Sequence, residues 1–376
     1  MRSLAVFGSR FVTRSTTFTL AGMAVNCAIT KTVAPRFDPS DPAQASLVLV
    51  RIRGFSVNYR DRAIILYILT RLRKVRRGSF IAIGSDFVGE VIEVGSAVTS
   101  LKPGDRVIGN AAYPHSGAPG IAAGVPINWA SQEFQILHQV KLAKVPVAIS
   151  DEVAACFTIG AQTSFCMVRR LTLAKGDHVL VTAGGSNTSL FVAHALRRLP
   201  VDITVATTSR SHVKKLRALG VDNVLLVDRG RPSFINHRSV RRLLAERGGF
   251  DAVVDPFFDL YLGPAVEVLR AYGRYITCGL YRQHSLDRRS SSRMKPRKQP
   301  DMSAVMLRAL NMNLQIIGNC LGSDRDLREA ISAHAAGEFP VIVDSVFVNP
   351  GSDESAFLHR SYNARDRFGK VAFLYR

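Results

Sequence analysis

Short apolar runs alternate with helical segments between residues 177 and 320. The runs, each of strand length, are DHVLVTA, DITVATT, NVLLVD, FDAVVD, GRYITCGL and NLQIIGNC. The segments with helical periodicity are LFVAHALRRL, SHVKKLRALG, SVRRLLAERG, GPAVEVLRAYG and VMLRAL. Apolar strands separated by helices are typical of a parallel sheet that is covered on both faces. The pattern predicts an α/β, doubly wound parallel sheet, whose ligand binds at the carboxyl ends of the strands.

The chain before residue 150 has a different pattern, with short strands, glycine turns such as EVGSAV and KPGDRV, and little helical periodicity. This pattern predicts a mostly β unit. The final stretch, from VIVDSVFV to KVAFLYR, is also strand-like and predicts a return to that unit. We therefore expect a nucleotide-binding domain at 151–325, inserted in a discontinuous β domain made of 1–150 and 326–376.

The first 37 residues contain no acidic residue and five basic ones. This composition fits a transit peptide, but it also fits a β-hairpin. The strand-like stretches RSLAVF and FVTRSTTFTL, with Gly8 and Ser9 as the turn, favour the hairpin.

Composition adds expectations about the compartment. The 376 residues are 47% hydrophobic. No apolar run reaches the roughly 18 residues of a membrane span. The five cysteines are scattered and form no CxxC pair, which suits a reducing environment. We expect a cytoplasmic protein without a membrane span.

The net charge of +21 is compatible with binding to nucleic acid, to a membrane surface or to an acidic partner, but it favours an arginine-rich solvated surface. Two runs concentrate the charge, RLRKVRR at 71–77 and RRSSSRMKPRK at 288–298. Neither run has interleaved aromatic residues, which argues against single-stranded nucleic acid as the partner.

The stretch VLVTAGGSNTSLF, residues 179–191, predicts a strand, a tight turn and the start of a helix. Such a turn brings main-chain N–H groups close to a pyrophosphate. The usual glycine positions hold Ala183, Ser186 and Ser189, all small. Ser186 or Asn187 can cap the helix, and the hydroxyls can bond a phosphate. The predicted cofactor contacts here are Ala183, Gly184, Gly185, Ser186, Asn187 and Thr188; a turn that binds nothing is the alternative.

The end of the second strand, VATTSRSHVKK, lacks the acidic residue that would hold both ribose hydroxyls of NAD. Thr208, Ser209, Arg210 and Lys214 instead suit a 2′-phosphate. The stretch favours NADPH over NADH, unless these are ordinary helix-start residues.

Several motifs resemble the medium-chain dehydrogenase/reductase superfamily. They are VNYRD (57–61), GSDFVGEVIEVGSAVTSLKPGDRVIG (84–109), ISDEVAACFTIGAQTSF (149–165), VATTSRSHVKKLRALGVDNVL and RFGKVAF. The most similar branch is the zinc-free quinone oxidoreductase and enoyl reductase group. The resemblance implies a GroES-like catalytic domain, a Rossmann domain, hydride transfer in the cleft between them, and a homodimer formed at NLQIIGNC.

The same resemblance allows the zinc-ligand positions of the family to be compared with this sequence. Zinc-dependent relatives carry cysteine where Asn58 stands and histidine where Ser85 stands, and the region 110–130 lacks the cysteines of a structural zinc lobe. Asparagine and serine are not usual zinc ligands, and His115 and His138 are isolated. We expect no metal site.

The resemblance also implies the remaining site residues. Asn58 and Tyr59 match a pair placed against the nicotinamide, and Tyr67 is the candidate proton donor, although its segment departs from the family loop and a core role is as well supported. Further cofactor contacts are implied at Thr163, Asp255, Gly279, Asn319 and Lys370.

These expectations combine into an NADPH-dependent reductase of an activated C=C bond (enoyl or enone) or of a quinone, with carbonyl reduction as a close variant. The basic runs suit a small-molecule substrate carried as a CoA or carrier-protein thioester. Two alternatives stay open: a fold-retaining protein that binds nucleic acid through its basic surface, and non-redox chemistry in the same cleft.

Overall fold

The computed structural model describes residues 1–8, 15–72, 79–221, 223–228, 233–279 and 301–376. The predicted basic run 288–298 lies outside the described residues, as does the part of the other basic run from 73 to 77. All five cysteines are free thiols. Among the described helices, none combines the length and apolar character needed to cross a membrane.

In chain order, the strands of the described ranges are β1 (Arg2–Phe7), β2 (Thr16–Leu20), β3 (Met23–Lys31), β4 (Leu47–Ser56), β5 (Phe80–Ala82), β6 (Asp86–Val94), β7 (Arg106–Gly109), β8 (Phe134–His138), β9 (Leu142–Lys144), β10 (His178–Val181), β11 (Asp202–Thr207), β12 (Asn223–Leu226), β13 (Phe250–Asp255), β14 (Leu269–Thr277), β15 (Gln315–Gly318), β16 (Val343–Asn349) and β17 (Lys370–Tyr375).

The α-helices of the same ranges are α1 (Tyr59–Leu72), α2 (Asp151–Ala154), α3 (Thr158–Leu171), α4 (Asn187–Leu196), α5 (Arg210–Ala218), α6 (Arg238–Arg247), α7 (Phe258–Glu267), α8 (Met302–Met312), α9 (Asp324–Ala335) and α10 (Glu354–Tyr362).

A six-stranded parallel sheet has the strand order β12-β11-β10-β13-β14-β15. The order reverses between β10 and β13, so the loops that follow these strands diverge and leave a crevice at the carboxyl edge. All residues of the central strand β13 are buried, as expected for a strand covered on both faces. The doubly wound sheet predicted from the apolar runs is confirmed.

A second sheet joins the first and last parts of the chain. Its order is β16-β17-β4-β6-β7-β9, and β8 also pairs with β4. The Phe55 ring of β4 lies 5.6 Å from the Phe357 ring and 5.2 Å from the Phe373 ring of β17, measured between centroids. The predicted return of the chain to the β unit is confirmed.

The amino-terminal hairpin was predicted with the wrong partners. β1 does not pair with β2; it pairs antiparallel with β3, and the third sheet has the order β2-β3-β1-β5. The hairpin of this region joins β2 and β3 through Ala21 and Gly22, which both have positive φ. A two-residue turn of that kind matches the twist of paired strands.

The helix predicted at GPAVEVLRAYG is displaced. α7 ends at Glu267, and residues from Leu269 onward belong to β14. The pairing of β13 with β14 shifts between Phe250 and Ala252, which accommodates extra residues of β14. The apolar spacing of this segment alone could not distinguish a helix end from an irregular strand.

Helix α3 connects the two large sheets. Gln162 Oε1 accepts a hydrogen bond from the Ala111 N–H at 3.1 Å, and its Nε2 donates to the Ser323 carbonyl oxygen at 2.9 Å. On the same helix, the Phe165 ring packs edge-on against Phe339, with 4.9 Å between centroids. These contacts fix α3 between the β unit and the carboxyl edge of the parallel sheet.

Candidate cofactor-binding and active site

The loop between β10 and α4 turns tightly against its neighbours. Ala183 has a φ of 50°, in the left-handed region that favours glycine. A Cβ at Gly184 would overlap with Val205, and a Cβ at Gly185 would lie 2.5 Å from Nδ1 of His212. The two glycines therefore let the loop approach β11 and α5 closely.

Two serines hold the start of α4. Ser186 is the N-cap, as predicted, and its hydroxyl accepts a hydrogen bond from the Ser189 N–H at 3.1 Å. The Ser189 hydroxyl donates to the Thr182 carbonyl oxygen at 2.6 Å, so the Ser186 hydroxyl donates its own proton to Ser189 Oγ, 2.8 Å away. These serines therefore hold the loop, and an anion at this turn would meet main-chain donors in place of their hydroxyls. The N–H groups of Asn187 and Thr188 lie in the first turn, where a helix has no acceptor for them.

Two exposed cations lie on the segment that follows β11. Arg210 and Lys214 of α5 are exposed and have no hydrogen-bond or ion-pair partner among the described residues. Thr208 and Ser209 are partly exposed beside them, and Ser209 Oγ lies 2.8 Å from Ser211 Oγ.

The segment before β17 covers the start of α4. Arg367 is buried, and its Nη1 donates to Asn187 Oδ1 at 2.8 Å. Lys215 of α5 donates to the Asp366 carbonyl oxygen at 3.3 Å. Sequence reasoning missed Arg367, although it stands in the quoted motif RFGKVAF.

Asp255 lies at the end of β13 and is fully buried. Its Oδ1 accepts from the Thr182 hydroxyl at 2.7 Å and from the Phe257 N–H at 2.9 Å, and its Oδ2 accepts from the Tyr275 hydroxyl at 2.6 Å. Burial raises its pKa to about 6, while these donors act to lower it. The carboxyl group ties together the ends of β10, β13 and β14.

Asn319 and Gly279 are also placed by structural contacts. The Asn319 side chain accepts from Arg170 Nη1 at 2.9 Å and donates to the Leu321 carbonyl oxygen at 2.8 Å. A Cβ at Gly279 would overlap with the Pro256 carbonyl oxygen. Both residues stand just beyond strand ends of the parallel sheet.

A second cluster surrounds the Asn58 amide. Asn58 Nδ2 donates to Ser85 Oγ at 3.1 Å and to Asp86 Oδ2 at 2.8 Å. Its Oδ1 accepts from Lys370 Nζ at 2.7 Å, and this Nζ lies 3.0 Å from Asp86 Oδ2. Asp86 Oδ1 accepts from the Ile159 N–H of α3 at 2.8 Å. The structure thus joins the predicted residues Asn58 and Lys370, but both amide protons of Asn58 are used within the cluster. Thr163, one turn further along α3, is buried.

Asp61 extends this cluster and was not singled out from the sequence. Its Oδ2 accepts from the Ser85 hydroxyl at 2.7 Å and from the Asn58 N–H at 2.7 Å. Burial raises the pKa of Asp61, against the opposing effect of Arg60. The sequence did contain a signal, because an acidic residue three positions after an asparagine is typical of a capped helix start.

Arg60 extends from this cluster toward the end of β15. Its Nη1 donates to Asn128 Oδ1 at 2.7 Å and lies 3.3 Å from Asp61 Oδ1. Burial raises the pKa of the Cys320 thiol, and the positive charge of Arg60 acts in the opposite direction. The side chain is 30% exposed, and its Nε and Nη2 have no hydrogen-bond partner among the described residues. Sequence reasoning missed this residue too.

The two tyrosines have different surroundings. The Tyr59 ring lies edge-on to Tyr362, 6.2 Å between centroids, and the Tyr362 hydroxyl donates to the Asn58 carbonyl oxygen at 3.4 Å. Tyr67 is 56% exposed, and the Arg71 guanidinium lies 4.6 Å from its ring centre. The structure therefore brings Tyr59 to the Asn58 cluster and leaves Tyr67 on the outer face of α1.

The described residues contain no group of three or more His, Cys, Asp or Glu that could hold a metal ion. Where zinc-dependent relatives place two ligands, this chain holds an amide, a hydroxyl and the Lys370 ammonium. His138 has a structural role, because its Nδ1 accepts from the Val140 N–H at 3.3 Å.

Comparison with known proteins agrees with this architecture. Residues 44–147 match the alcohol dehydrogenase GroES-like domain. A solved NAD-dependent alcohol dehydrogenase aligns over 100% of this chain and 99% of its own, with a TM-score of 0.73 and 21% identity. A putative NADPH:quinone reductase from Bacillus thuringiensis aligns over 99% of this chain and 98% of its own, with a TM-score of 0.69 and 19% identity. At these identities the likeness shows the fold.

Two relatives extend the comparison. The spectinabilin polyketide synthase system protein NorB of Streptomyces orinoci is 28% identical over 250 residues, which are 66% of this chain and 10% of that protein. The acryloyl-coenzyme A reductase of Metallosphaera sedula is 27% identical over 185 residues, which are 45% of this chain and 53% of that protein. The chain thus spans only part of the length of either relative.

Residues 44–147 carry the alcohol dehydrogenase GroES-like domain, and the fold of the whole chain is similar to that of solved alcohol dehydrogenases and quinone reductases. The GroES-like match lies in the amino-terminal half, and the parallel sheet has the doubly wound order that the sequence predicts.

Proposed function

We propose that this chain is a zinc-independent, NADPH-dependent oxidoreductase that transfers a hydride to an activated C=C bond of an enoyl or enone compound, or to a quinone. The observation that carries the proposal is the turn 183–188 before α4, which we name the phosphate cradle, together with two exposed cations of α5, Arg210 and Lys214, that have no partner among the described residues. A nicotinamide dinucleotide fits this donor set. Because Gly184 and Gly185 have no side chains, a phosphate can approach their main chain closely. The N–H groups of Asn187 and Thr188 suit the pyrophosphate.

The preference for NADPH rests on the stretch 208–214, which contains no acidic residue. Exposed Arg210 and Lys214 suit a 2′-phosphate, since a guanidinium bonds phosphate oxygens in pairs and an ammonium adds a point charge. An acidic residue at this place would favour the free ribose hydroxyls of NADH.

Zinc independence rests on donor chemistry. The Lys370 ammonium lies 2.7 Å from Asn58 Oδ1 and 3.0 Å from Asp86 Oδ2, so a cation of the protein already neutralises this carboxylate. Amide and hydroxyl groups are poor zinc ligands. A metal held here would meet an ammonium as its neighbour.

The bound dinucleotide would supply the hydride. The chain must hold the acceptor and stabilise the negative charge that forms on its carbonyl oxygen. Asn58 has no amide proton left for this purpose. Nε and Nη2 of Arg60 have no partner within the described part of the chain, and Asn128 and Asp61 hold its guanidinium in place. We assign carbonyl polarisation to Arg60.

An enoyl thioester, carried on CoA or on a carrier protein, is the acceptor that the relatives favour. One relative is named an acryloyl-coenzyme A reductase and another a polyketide synthase system protein. A homodimer also stays a prediction. The exposed apolar side chains of α8 support it, since Met306, Leu307 and Leu310 are each more than half exposed on the helix that precedes the edge strand β15.

The test is a binding titration of the full chain with NADPH and with NADH, followed by a screen of enoyl-CoA and quinone acceptors. We expect NADPH to bind at least tenfold more tightly than NADH, and a Gly184→Val variant, whose side chain would meet Val205, to lose both. Hydride transfer to an acceptor would establish the reaction. Absence of binding by either dinucleotide would overturn the proposal and favour the non-redox or nucleic-acid alternatives.

A further inference from the structure

His212 lies where three segments meet beside the phosphate cradle. It is the third residue of α5 and is 5% exposed. Its Nδ1 lies 2.5 Å from the position that a Cβ on Gly185 would take, so the ring rests against the bare main chain of the loop. On the other side, its ring centroid lies 5.2 Å from that of Phe368.

Neither ring nitrogen of His212 has a hydrogen-bond partner of normal geometry within the described part of the chain. Buried polar side chains nearly always have a partner, and an unmade bond of this kind is costly. The Asp366 carbonyl oxygen, which accepts from Lys215 Nζ at 3.3 Å, lies close enough to the ring to favour its protonated form, but makes no hydrogen bond of normal geometry with it. Within the described residues, His212 is therefore a buried donor and acceptor without a well-formed hydrogen bond, and it lies beside the loop that we propose for the phosphates.

The charges that face His212 are mostly positive. Its own helix supplies Lys215, with exposed Arg210 and Lys214 nearby, and the segment before β17 supplies Arg367 and the carboxylate of Asp366. The loop 183–188 has no ionisable side chain. Burial lowers the pKa of His212, and the charges of Lys215 and Arg367 lower it further, so the ring is neutral in the free protein at neutral pH.

We infer that His212 is a proton-linked anion contact of the dinucleotide site: a phosphate group of the bound dinucleotide becomes the missing partner of the ring, which takes up a proton as the ligand binds. The inference rests on the proposed function and adds a pH dependence to it. The proton comes from solvent, joins the free ring nitrogen, and returns to solvent when the ligand leaves.

The direction of the pH dependence follows from the linkage between proton binding and dinucleotide binding. An opposite charge at contact distance raises the pKa of a histidine by about 1–3 units. The ring is then neutral in the free protein and charged in the complex over a window around the ordinary value of about 6.5. Within that window binding takes up a proton, so the affinity falls as the pH rises. The total change is about tenfold for each unit by which the ligand raises the pKa.

The experiment is calorimetry of NADPH and NADH binding to the full chain at pH 6.5–7.5, in two non-phosphate buffers with different heats of ionisation. We expect the unaltered chain to take up protons as the dinucleotide binds. The His212→Gln variant should lose this uptake, because glutamine keeps a polar side chain but cannot titrate. The His359→Gln variant, at an exposed histidine of α10, is the control and should keep the uptake unchanged. Uptake with NADPH alone would assign the 2′-phosphate as the partner, and uptake with both ligands would assign the pyrophosphate.

Binding without proton uptake, or equal uptake by His212→Gln and the unaltered chain, would overturn the inference and leave the proposed function standing. Absence of binding would overturn both. A second measurement does not depend on the dinucleotide: the NMR titration of the His212 ring with and without 2′,5′-ADP should show a higher pKa in the presence of the probe. An unchanged titration with bound probe would also contradict the inference.

Discussion

Lys370 and Asp86 form an ion pair of 3.0 Å in the interior, with side chains that are 1% and 0% exposed. Lys370 begins the last strand, and Asp86 begins a strand of the GroES-like domain. The pair holds the Asn58 amide between them and connects, through the Ile159 N–H, to α3. An internal cation of the protein is therefore the centre of this site.

Replacing Lys370 by methionine should destabilise the fold strongly. Removal of one partner leaves Asp86 buried and unpaired, which costs about 3–5 kcal/mol in comparable pairs. Urea unfolding, followed by circular dichroism, measures the loss. The double variant Lys370→Met with Asp86→Asn removes the stranded charge, so it should recover part of that stability. Equal stability of the two variants would show that the ion pair contributes little.

Replacing Arg60 by glutamine should slow hydride transfer without weakening cofactor binding. Loss of one preorganised donor to a developing oxyanion lowers kcat by about 100-fold or more. Single-turnover rates with NADPH and an enoyl-CoA acceptor measure the effect. Arg36→Gln, at an exposed arginine, is the matched control and should keep the full rate. A slow Arg36→Gln variant, or an unaffected Arg60→Gln variant, would remove Arg60 from the reaction.

The parallel sheet was predictable because each of its strands is a short apolar run between helices, and burial on both faces produces that pattern directly. The β1–β3 pairing was not predictable from the same evidence. All three amino-terminal strands have suitable sequences, and only the Ala21–Gly22 turn and the contact of β1 with β5 decide which strands pair.

The candidate site was predictable only in part, for a related reason. Loop residues such as Ser186 were found because a cap acts locally in the chain. Arg60, Asp61 and His212 were missed because their role depends on partners from distant segments and on the direction of the side chain. Tyr67 shows the same limit, since its position near Asn58 in sequence did not place it on the side of α1 that faces the cluster.

Replacing both Arg210 and Lys214 by alanine should weaken NADPH binding by about 100-fold, since a hydrogen bond to a charged group contributes about 1.5–3 kcal/mol. NADH binding should change by less than about twofold, because NADH lacks the 2′-phosphate. Fluorescence titration of both ligands measures the difference. Arg217→Ala, at an exposed residue later in α5, is the control. An equal loss of affinity for both dinucleotides would mean that the two cations contact the pyrophosphate or attract the ligand only by long-range electrostatics.

Asp255 should make the stability of the protein depend on pH in mildly acidic solution. Its pKa is about 6 in the folded chain against an ordinary value of 3.8, so the folded state keeps a proton that the unfolded state has already lost. The free energy of unfolding therefore falls as the pH rises from about 4 to about 6, by about 3 kcal/mol at 1.36 kcal/mol per unit.

Urea unfolding at half-unit steps between pH 4 and 7 measures this slope, and Asp255→Asn should flatten it. Tyr275→Phe removes a hydroxyl that favours the ionised carboxylate, so the fall should extend to higher pH in that variant. Asp202→Asn, at an exposed aspartate, should leave the slope as it is. A slope that survives in Asp255→Asn would assign the pH dependence to another buried carboxyl group, and Asp61, whose pKa burial also raises, would be the next residue to replace.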